Sequence, residues 1–191
     1  MKQTLKQEIF RKRKSLTREE VKEKSNAIKE NLCSLEEFKD AKNIMLYVSF
    51  DNEVDTIDTI KKLLINKEKN IIVPYVVKNN PILQLSELKS FNELGPKTLG
   101  ILEPRDNFIR EFSLKKLDLV IVPGIVFDEN GYRIGYGYGY YDMFLKKLDK
   151  NVKKIGLGFE SQLVDKIPEE RHDVPVDIVV TEERVLKCEG K

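Results

Sequence analysis

Apolar residues occur along the chain in two alternating patterns. Short continuous apolar runs predict buried strands, which we place at residues 43–50, 71–77, 118–122, 154–159 and 177–181, with a shorter one at 82–86. Between these runs, apolar residues recur every three or four positions. This spacing predicts helices at residues 3–15, 17–35, 55–66 and 141–149, and shorter helical pieces or turns at 112–117 and 161–166.

The start of the second helix is marked by a local signal. Thr17 and Glu20 have the spacing of a capping box, in which each side chain bonds a free backbone amide of the other residue. We therefore expect that helix to begin at Thr17.

Strands that alternate with helices, and that are apolar throughout, are typical of an α/β domain. We predict a single three-layer α/β/α domain over residues 1–191 with a mostly parallel, Rossmann-like sheet and a basic N-terminal helical segment at about 1–36. Ligands of such sheets bind in the loops that follow the carboxyl ends of the strands. Here those loops are residues 49–56, 123–141 and 158–173.

The composition fits one globular domain of 191 residues, with 40% hydrophobic and 35% charged residues. No apolar run is long enough to span a bilayer, and residues 1–14 lack the apolar centre of a signal peptide. Cys33 and Cys188 lie far apart in the chain, which favours free thiols in a reducing compartment. We therefore expect a cytoplasmic protein without a membrane partner.

The net charge of +2 is small but unevenly distributed. Residues 1–24 hold nine Lys or Arg against four Glu. Such a segment could bind RNA, lipid headgroups or a polyphosphate, or it could form only the solvated face of a helix. The sequence by itself leaves these alternatives open.

The most unusual stretch is GYRIGYGYGYY at residues 131–141, followed by Asp142. It holds four of the ten glycines and five of the seven tyrosines, between a predicted strand and a predicted helix. Glycines let the backbone approach a ligand closely, and loop amides before a helix can bind an anion. Arg133 adds forked donors that suit phosphate. The alternative is a tight surface turn whose tyrosines pack on the sheet.

Several polar residues of the three loops are candidate ligands. Asp55 and Thr56 could simply cap the following helix, which leaves Glu53 as the better ligand candidate in the first loop. Asp142 could stabilise a helix N-terminus or hold Mg²⁺ beside phosphates, and Asp177 could also serve Mg²⁺. The single histidine, His172, could be structural or catalytic.

Several common motifs are absent from the sequence. No Cys/His cluster suggests zinc, and no GxSxG sequence suggests a hydrolase. The glycine-rich stretch is neither a Walker A sequence nor a GxGxxG dinucleotide turn.

The segment VPGIVFDENGYRIGYGYGYYDMFL at residues 122–145 resembles the most characteristic motif of the 5-formyltetrahydrofolate cyclo-ligase family. LKQEIFRKRKSL at 5–16, GILEP at 100–104 and HDVPVDIVVT at 172–181 resemble further elements of that family in the same order. The resemblance spans almost the whole chain. It departs at Lys6, where many members have Arg, at Tyr138, where Gly or a basic residue is usual, and at Met143, where Arg is common.

The resemblance implies an ATP- and Mg²⁺-dependent enzyme that converts 5-formyltetrahydrofolate to 5,10-methenyltetrahydrofolate and releases ADP and phosphate. The γ-phosphoryl group of ATP would pass to the formyl oxygen, and nitrogen-10 of the folate would then close the ring. The partners would be these small molecules, with no nucleic acid, and the protein is expected to be a monomer.

The resemblance also implies roles for particular residues. Arg133 and Lys6 would be catalytic, and Asp142 and Asp177 would hold Mg²⁺. The ATP site would consist of Lys2, Gln3, Thr4, Leu5, Lys6, Arg133, Ile134, Gly135, Tyr136, Gly137, Tyr138, Gly139, Tyr140 and Tyr141. The folate site would consist of Phe50, Glu53, Tyr136, Gly137, Tyr138, Gly139 and Tyr140, with tyrosine faces stacked on the pterin ring.

Two alternatives remain open from the sequence. One is a non-catalytic folate- or nucleotide-binding protein of the same fold. The other is a different ATP-dependent ligase or kinase, whose ATP hydrolysis would not respond to folate.

Overall fold

The computed structural model describes residues 2–78, 80, 82–170 and 172–188. The helices of this part of the chain, apart from single 3₁₀ turns, are α1 (Lys2–Lys14), α2 (Arg18–Ser34), α3 (Glu36–Asp40), α4 (Ile57–Asn66) and α5 (Tyr140–Leu145). The strands are β1 (Asn43–Met45), β2 (Asn70–Tyr75), β3 (Gln84–Leu88), β4 (Leu94–Pro96), β5 (Leu102–Pro104), β6 (Leu119–Pro123), β7 (Val126–Asp128), β8 (Arg133–Ile134), β9 (Lys153–Leu157), β10 (Leu163–Val164), β11 (Ile178–Val180) and β12 (Val185–Lys187).

The central sheet has seven strands in the order β12-β11-β9-β6-β1-β2-β3. The five inner strands are parallel, whereas β3 and β12 pair antiparallel at the two edges. The predicted mostly parallel sheet is therefore confirmed. The strand order reverses between β1 and β6, so the loops that follow these two strands diverge and leave a crevice at their carboxyl ends.

The sheet is buried on both faces. Along β2, Ile71 faces the apolar cluster that also contains Ile28 of α2 and Ile60 of α4. Its neighbour Ile72 faces the opposite cluster, which contains Phe144 of α5. Because successive strand residues point to opposite faces, a strand covered on both sides is apolar throughout. This arrangement confirms the predicted three-layer α/β domain.

The capping box at the start of α2 is present. The Glu20 amide donates to Thr17 Oγ1 at 3.2 Å, and the Thr17 amide donates to Glu20 Oε2 at 2.7 Å. No helix of the described residues is both long and apolar enough to cross a membrane.

Some elements of the structure differ from those predicted, because contacts between distant segments decide where short strands begin and end. The strand predicted at 43–50 ends at Met45, because the chain leaves the sheet and turns through Asp51 and Asn52 at φ 53° and 56°. The edge strand β12 was not predicted. The stretch predicted as one long loop after β6 contains the hairpin β7–β8, and the helix predicted at 141–149 ends at Leu145.

The hairpin β7–β8 is held on the sheet by the ring of Phe127. A Cβ atom at Gly124, Gly156 or Gly158 would lie 2.6, 2.5 or 2.9 Å from atoms of this ring. Only glycine allows so close an approach at these three positions. The ring therefore fixes the hairpin, and with it the glycine-rich segment that follows, above the carboxyl ends of the strands.

We predict that Gly156→Ala destabilises the protein by about 1–3 kcal/mol, because the added methyl group overlaps the Phe127 ring in a closely packed core. Chemical denaturation monitored by circular dichroism measures this change. Gly135→Ala is the matched control, since no atom lies within 4 Å of its added Cβ. An equal free energy of unfolding for the two variants would contradict the prediction.

Candidate active site

A cavity of about 380 Å³ opens at the crevice between β1 and β6. Its walls come from the start of α1, the loop after β1, the ends of β2 and β5, and the segment from Arg133 to Asp142. Its size lies within the usual range for sites that bind small molecules.

Most of the predicted site residues meet in this cavity. It is lined by Lys2, Gln3, Lys6, Phe50, Glu53, Arg133, Ile134, Gly135, Tyr136, Gly137, Tyr138, Gly139, Tyr140, Tyr141 and Asp142. Thr4, Leu5 and Asp177 do not line it. Thr4 is exposed and Leu5 packs towards Ile9, because these positions of α1 lie on other faces of the helix than Lys2 and Lys6.

The predicted pairing of Asp142 with Asp177 is not formed. Asp177 lies at the amino end of β11, where its Oδ2 accepts from the Lys154 amide at 2.7 Å and pairs with Lys154 Nζ at 2.9 Å. Since β11 runs parallel to β6 and β9, this end lies at the opposite edge of the sheet from the cavity. Asp142 is therefore the one member of the predicted metal pair that faces the cavity.

Arg133 is buried and fixed by two partners. Its Nη2 donates to Asp142 Oδ1 at 3.0 Å and its Nη1 donates to the Val174 carbonyl at 2.8 Å. Burial lowers the pKa of the guanidinium, and the charge of Asp142 opposes this shift. The side chain that sequence reasoning placed in a free loop thus belongs to the short strand β8 and has a defined orientation.

Lys2 and Lys6 of α1 line the cavity together with Arg133, and we call the part formed by these three residues its basic end. Lys6 Nζ donates to the Tyr136 carbonyl at 2.6 Å, and burial lowers the pKa of this lysine. Lys2 Nζ lies 2.7 Å from Asp173 and 3.3 Å from Glu170. Burial lowers the pKa of Lys2, but its hydrogen bonds to these two carboxylates outweigh that effect and raise it.

His172 lies at the rim of the same end. Its Nε2 is 3.1 Å from Glu170 Oε2, and the ring is largely exposed. Ligand atoms of Glu170, His172 and Asp173 lie within 4.8 Å of one another, a spacing that a metal ion could use. The ammonium of Lys2, however, already pairs with both carboxylates.

The tyrosines of the glycine-rich segment differ in their surroundings. The Tyr136 ring lies between Phe50, at a centroid distance of 5.4 Å, and Phe10, at 6.4 Å. Tyr138 is 61% exposed, and its ring lies 6.0 Å from that of Tyr140 at the mouth of the cavity. Tyr136 therefore belongs to the wall, whereas Tyr138 offers an open aromatic face.

Glu53 is a buried carboxylate in the inner wall. Its Oε2 accepts from the Phe50 amide at 3.1 Å, and its Oε1 accepts from the Tyr136 hydroxyl at 3.2 Å. Burial raises the pKa of Glu53 to about 7, although these bonds and the charge of Arg13 oppose the shift.

Arg13 was not predicted as part of the site. It is fully buried, and its Nη2 donates to the Tyr136 hydroxyl at 2.6 Å and to the Asp51 carbonyl at 3.3 Å. A chain of hydrogen bonds thus runs from Arg13 through Tyr136 to Glu53. Helical spacing could have identified Arg13 as a site residue, because it follows Lys6 by about two turns and lies on the same face of α1.

Glu103 is a second residue that sequence reasoning missed. It is buried in β5 and lines the apolar end of the cavity near Tyr75 and Ile101. The sequence feature that could have identified Glu103 is the GILEP segment, in which it is the single charged residue.

Comparisons with known proteins agree with one another. A family model described as the 5-formyltetrahydrofolate cyclo-ligase family matches residues 1–182. The 5-formyltetrahydrofolate cyclo-ligase of Haemophilus influenzae is 32% identical over 93% of this chain and 96% of the relative. The enzyme of that name from Mus musculus is 30% identical over 95% and 94%.

A solved structure gives the same result. The NMR structure of Aquifex aeolicus 5,10-methenyltetrahydrofolate synthetase superimposes with a TM-score of 0.86 at 34% sequence identity, over 100% of this chain and 94% of that one. The fold and the relatives define a ligase of folate metabolism, a class that implies an ATP co-substrate. The chain belongs to the 5-formyltetrahydrofolate cyclo-ligase family.

We predict that Glu53 makes the protein less stable as the pH rises from about 4.5 to about 7. The folded state holds the Glu53 proton in this range, whereas the unfolded state releases it, because burial raises the pKa in the fold. Glu53→Gln lacks this dependence. It should gain on the order of 2–3 kcal/mol relative to wild type between pH 4.5 and pH 8.

Urea denaturation of both proteins across this pH range measures the difference, and the other carboxylates cancel because both proteins share them. A constant difference between the two proteins would contradict the assignment.

Proposed function

We propose that the protein catalyses the ATP- and Mg²⁺-dependent conversion of 5-formyltetrahydrofolate to 5,10-methenyltetrahydrofolate, with release of ADP and phosphate. The observation that carries the proposal is that one cavity is lined both by the basic side chains of Lys2, Lys6 and Arg133 and by the aromatic rings of Phe50 and Tyr136 beside the Glu53 carboxylate. Direct phosphoryl transfer between two substrates requires both of them in one space.

The basic end suits the phosphates of ATP. Lys2, Lys6 and Arg133 contribute positive charge, and the glycine-rich segment contributes backbone amides at its mouth. Gly137 and Gly139 have φ of 108° and 70°, which lets the chain pass close to a ligand. In this proposal the Lys2 ammonium leaves Asp173 and Glu170 and binds a phosphate instead, because one ammonium cannot pair closely with all three groups.

The other end suits a folate. The Phe50 and Tyr136 rings form part of its wall, and Tyr138 and Tyr140 present aromatic surface at the mouth. Glu53 can accept a hydrogen bond from the ring system. Its internal bonds leave it fewer free acceptor sites than a solvated carboxylate has.

The chemistry then requires mainly positioning. The formyl oxygen attacks the γ-phosphorus, and the bond to ADP breaks. Nitrogen-10 of the folate attacks the activated formyl carbon, the oxygen leaves with the phosphate, and the N10 proton passes to that phosphate, which gives the methenyl bridge. Lys6 and Arg133 neutralise the charge that develops on the transferred phosphoryl group, which is the main task of a protein in this reaction class.

Asp142 fits a role in binding Mg²⁺. Mg²⁺ in nucleotide sites is usually held by one or two carboxylates, phosphate oxygens and water. Asp142 lines the basic end, and its Oδ1 accepts from Arg133, which orients the carboxylate. Mg²⁺ would supply further neutralisation of phosphate charge there.

We also propose that the protein acts in the cytoplasm as a monomer, without a nucleic acid partner. Cys33 and Cys188 are both free thiols, which fits a reducing compartment. Lys2 and Lys6 of the basic helix face the cavity and Arg13 is buried, so this part of its charge is not presented on the outer surface to a nucleic acid.

The direct test is an absorbance assay for the methenyl product with purified protein, ATP, Mg²⁺ and 5-formyltetrahydrofolate. We expect product that depends on all three. Folate binding without turnover would identify a binding protein instead. ATP hydrolysis that folate does not stimulate would identify a different ATP-dependent enzyme.

We predict that Arg133→Ala lowers kcat by about 10²–10³, because a fixed donor to the developing phosphoryl charge is lost. Steady-state kinetics with the absorbance assay measures this change, and a thermal melt confirms that the variant is folded. Arg11→Ala is the matched control, since Arg11 is exposed on α1 outside the cavity and its loss should leave kcat unchanged. An equal kcat for both variants would remove Arg133 from the reaction.

A further inference from the structure

Glu103 is a buried carboxylate with spare acceptor capacity. It is 3% exposed and lines the end of the cavity formed by Pro74, Tyr75, Val76, Leu83, Ile101 and Leu102. Within the described residues, its carboxylate accepts one hydrogen bond, from the Val76 amide to Oε2 at 3.1 Å. No lysine or arginine of these residues forms an ion pair with it.

The other buried glutamates are better satisfied. Glu53 accepts from the Phe50 amide and the Tyr136 hydroxyl, and Glu93 accepts two hydrogen bonds from the Arg110 guanidinium. A carboxylate has about four acceptor positions, and a buried charge that lacks partners costs several kcal/mol. The side chain of Glu103 faces the cavity with most of its acceptor positions free, so a donor from a ligand would compensate its burial.

We propose that Glu103 anchors the pterin ring of the folate through the N–H groups of its pyrimidine edge. This inference rests on the proposed function, and it adds a residue and an orientation to it. The surrounding wall is apolar and includes Tyr75 and Pro74, which suits the faces of a flat heterocycle.

The donor pattern favours pterin over adenine. A pterin carries a ring N–H beside an exocyclic amine, so two adjacent donors meet the two oxygens of a carboxylate. Adenine carries an exocyclic amine beside ring nitrogens that are acceptors, and an acceptor that faces a carboxylate is repelled. The site therefore discriminates by charge as well as by shape.

This anchor also sets the orientation of the substrate. When the pyrimidine edge meets Glu103, the pyrazine ring with its N5-formyl group lies at the other end of the bicycle. That end points from the apolar part of the cavity towards the basic part, which Lys6 and Arg133 line. The formyl oxygen is thereby directed towards the phosphates.

The test uses Glu103→Gln, whose side-chain carbonyl can still accept from the Val76 amide. We expect the Kd for 5-formyltetrahydrofolate, measured by calorimetry without ATP, to rise by about 10–100-fold, because a charge-assisted hydrogen bond is lost. The Kd for ATP should not change, and the melting temperature of the ligand-free protein should not fall, because Gln removes a buried charge that has few partners. Glu87→Gln on strand β3 is the matched control, since Glu87 does not line the cavity.

A folate analogue with a methyl group in place of the 2-amine makes the test specific. Wild type should bind the analogue more weakly than the natural folate, whereas Glu103→Gln should bind both with similar affinity. Weaker binding of ATP alone would assign the site to adenine and overturn the proposal. A lower melting temperature with equal loss for both ligands would show a structural role and also overturn it.

Failure of the proposed function remains distinguishable from failure of this inference. A wild-type protein that binds folate without turnover would refute the reaction, yet the calorimetric comparison would still decide the role of Glu103. A wild-type protein that turns over folate, with unchanged affinity in Glu103→Gln, would refute the anchor alone.

Discussion

The buried guanidinium of Arg13 joins the N-terminal helix to the loops that form the cavity. Its donors reach carbonyls of Asp51 and Gly124 and the hydroxyl of Tyr136, which belong to the loop after β1, the end of β6 and the glycine-rich segment. These hydrogen bonds offset much of the cost of burying the guanidinium charge, so they constrain the three segments together. Arg13 thus holds the cavity wall in place from behind, although it does not itself line the cavity.

The same interaction links the two ends of the site. Tyr136 accepts from Arg13 and donates to Glu53, while its carbonyl accepts from Lys6. One residue thus contacts Lys6 through its backbone carbonyl and both Arg13 and Glu53 through its side chain. In the proposed reaction a phosphate and a formyl oxygen meet in this cavity, and a shared, rigid wall would favour it because small errors of position cost large factors in rate.

Patterns of apolar residues that repeat along the chain were sufficient to predict much of the fold. The parallel sheet, α2 with its capping box and the position of Glu53, Arg133 and Asp142 in the segments that follow β1 and β6 can be predicted from apolar periodicity and local capping chemistry. The hairpin β7–β8 and the edge strand β12 do not, because strands of two or three residues form only where a partner strand is already in place. The glycines that cradle Phe127 are likewise explained only by the ring above them.

By itself, the sequence determined the fold class, the family resemblance and most of the residues that line the cavity, because carboxyl ends of parallel strands must meet at one edge. Only the tertiary structure decided which polar groups face that edge. It placed Asp177 at the opposite end of β11, turned Arg13 inward and left Glu103 with free acceptor positions. Burial and partners are properties of contacts between distant segments, and no local pattern contains them.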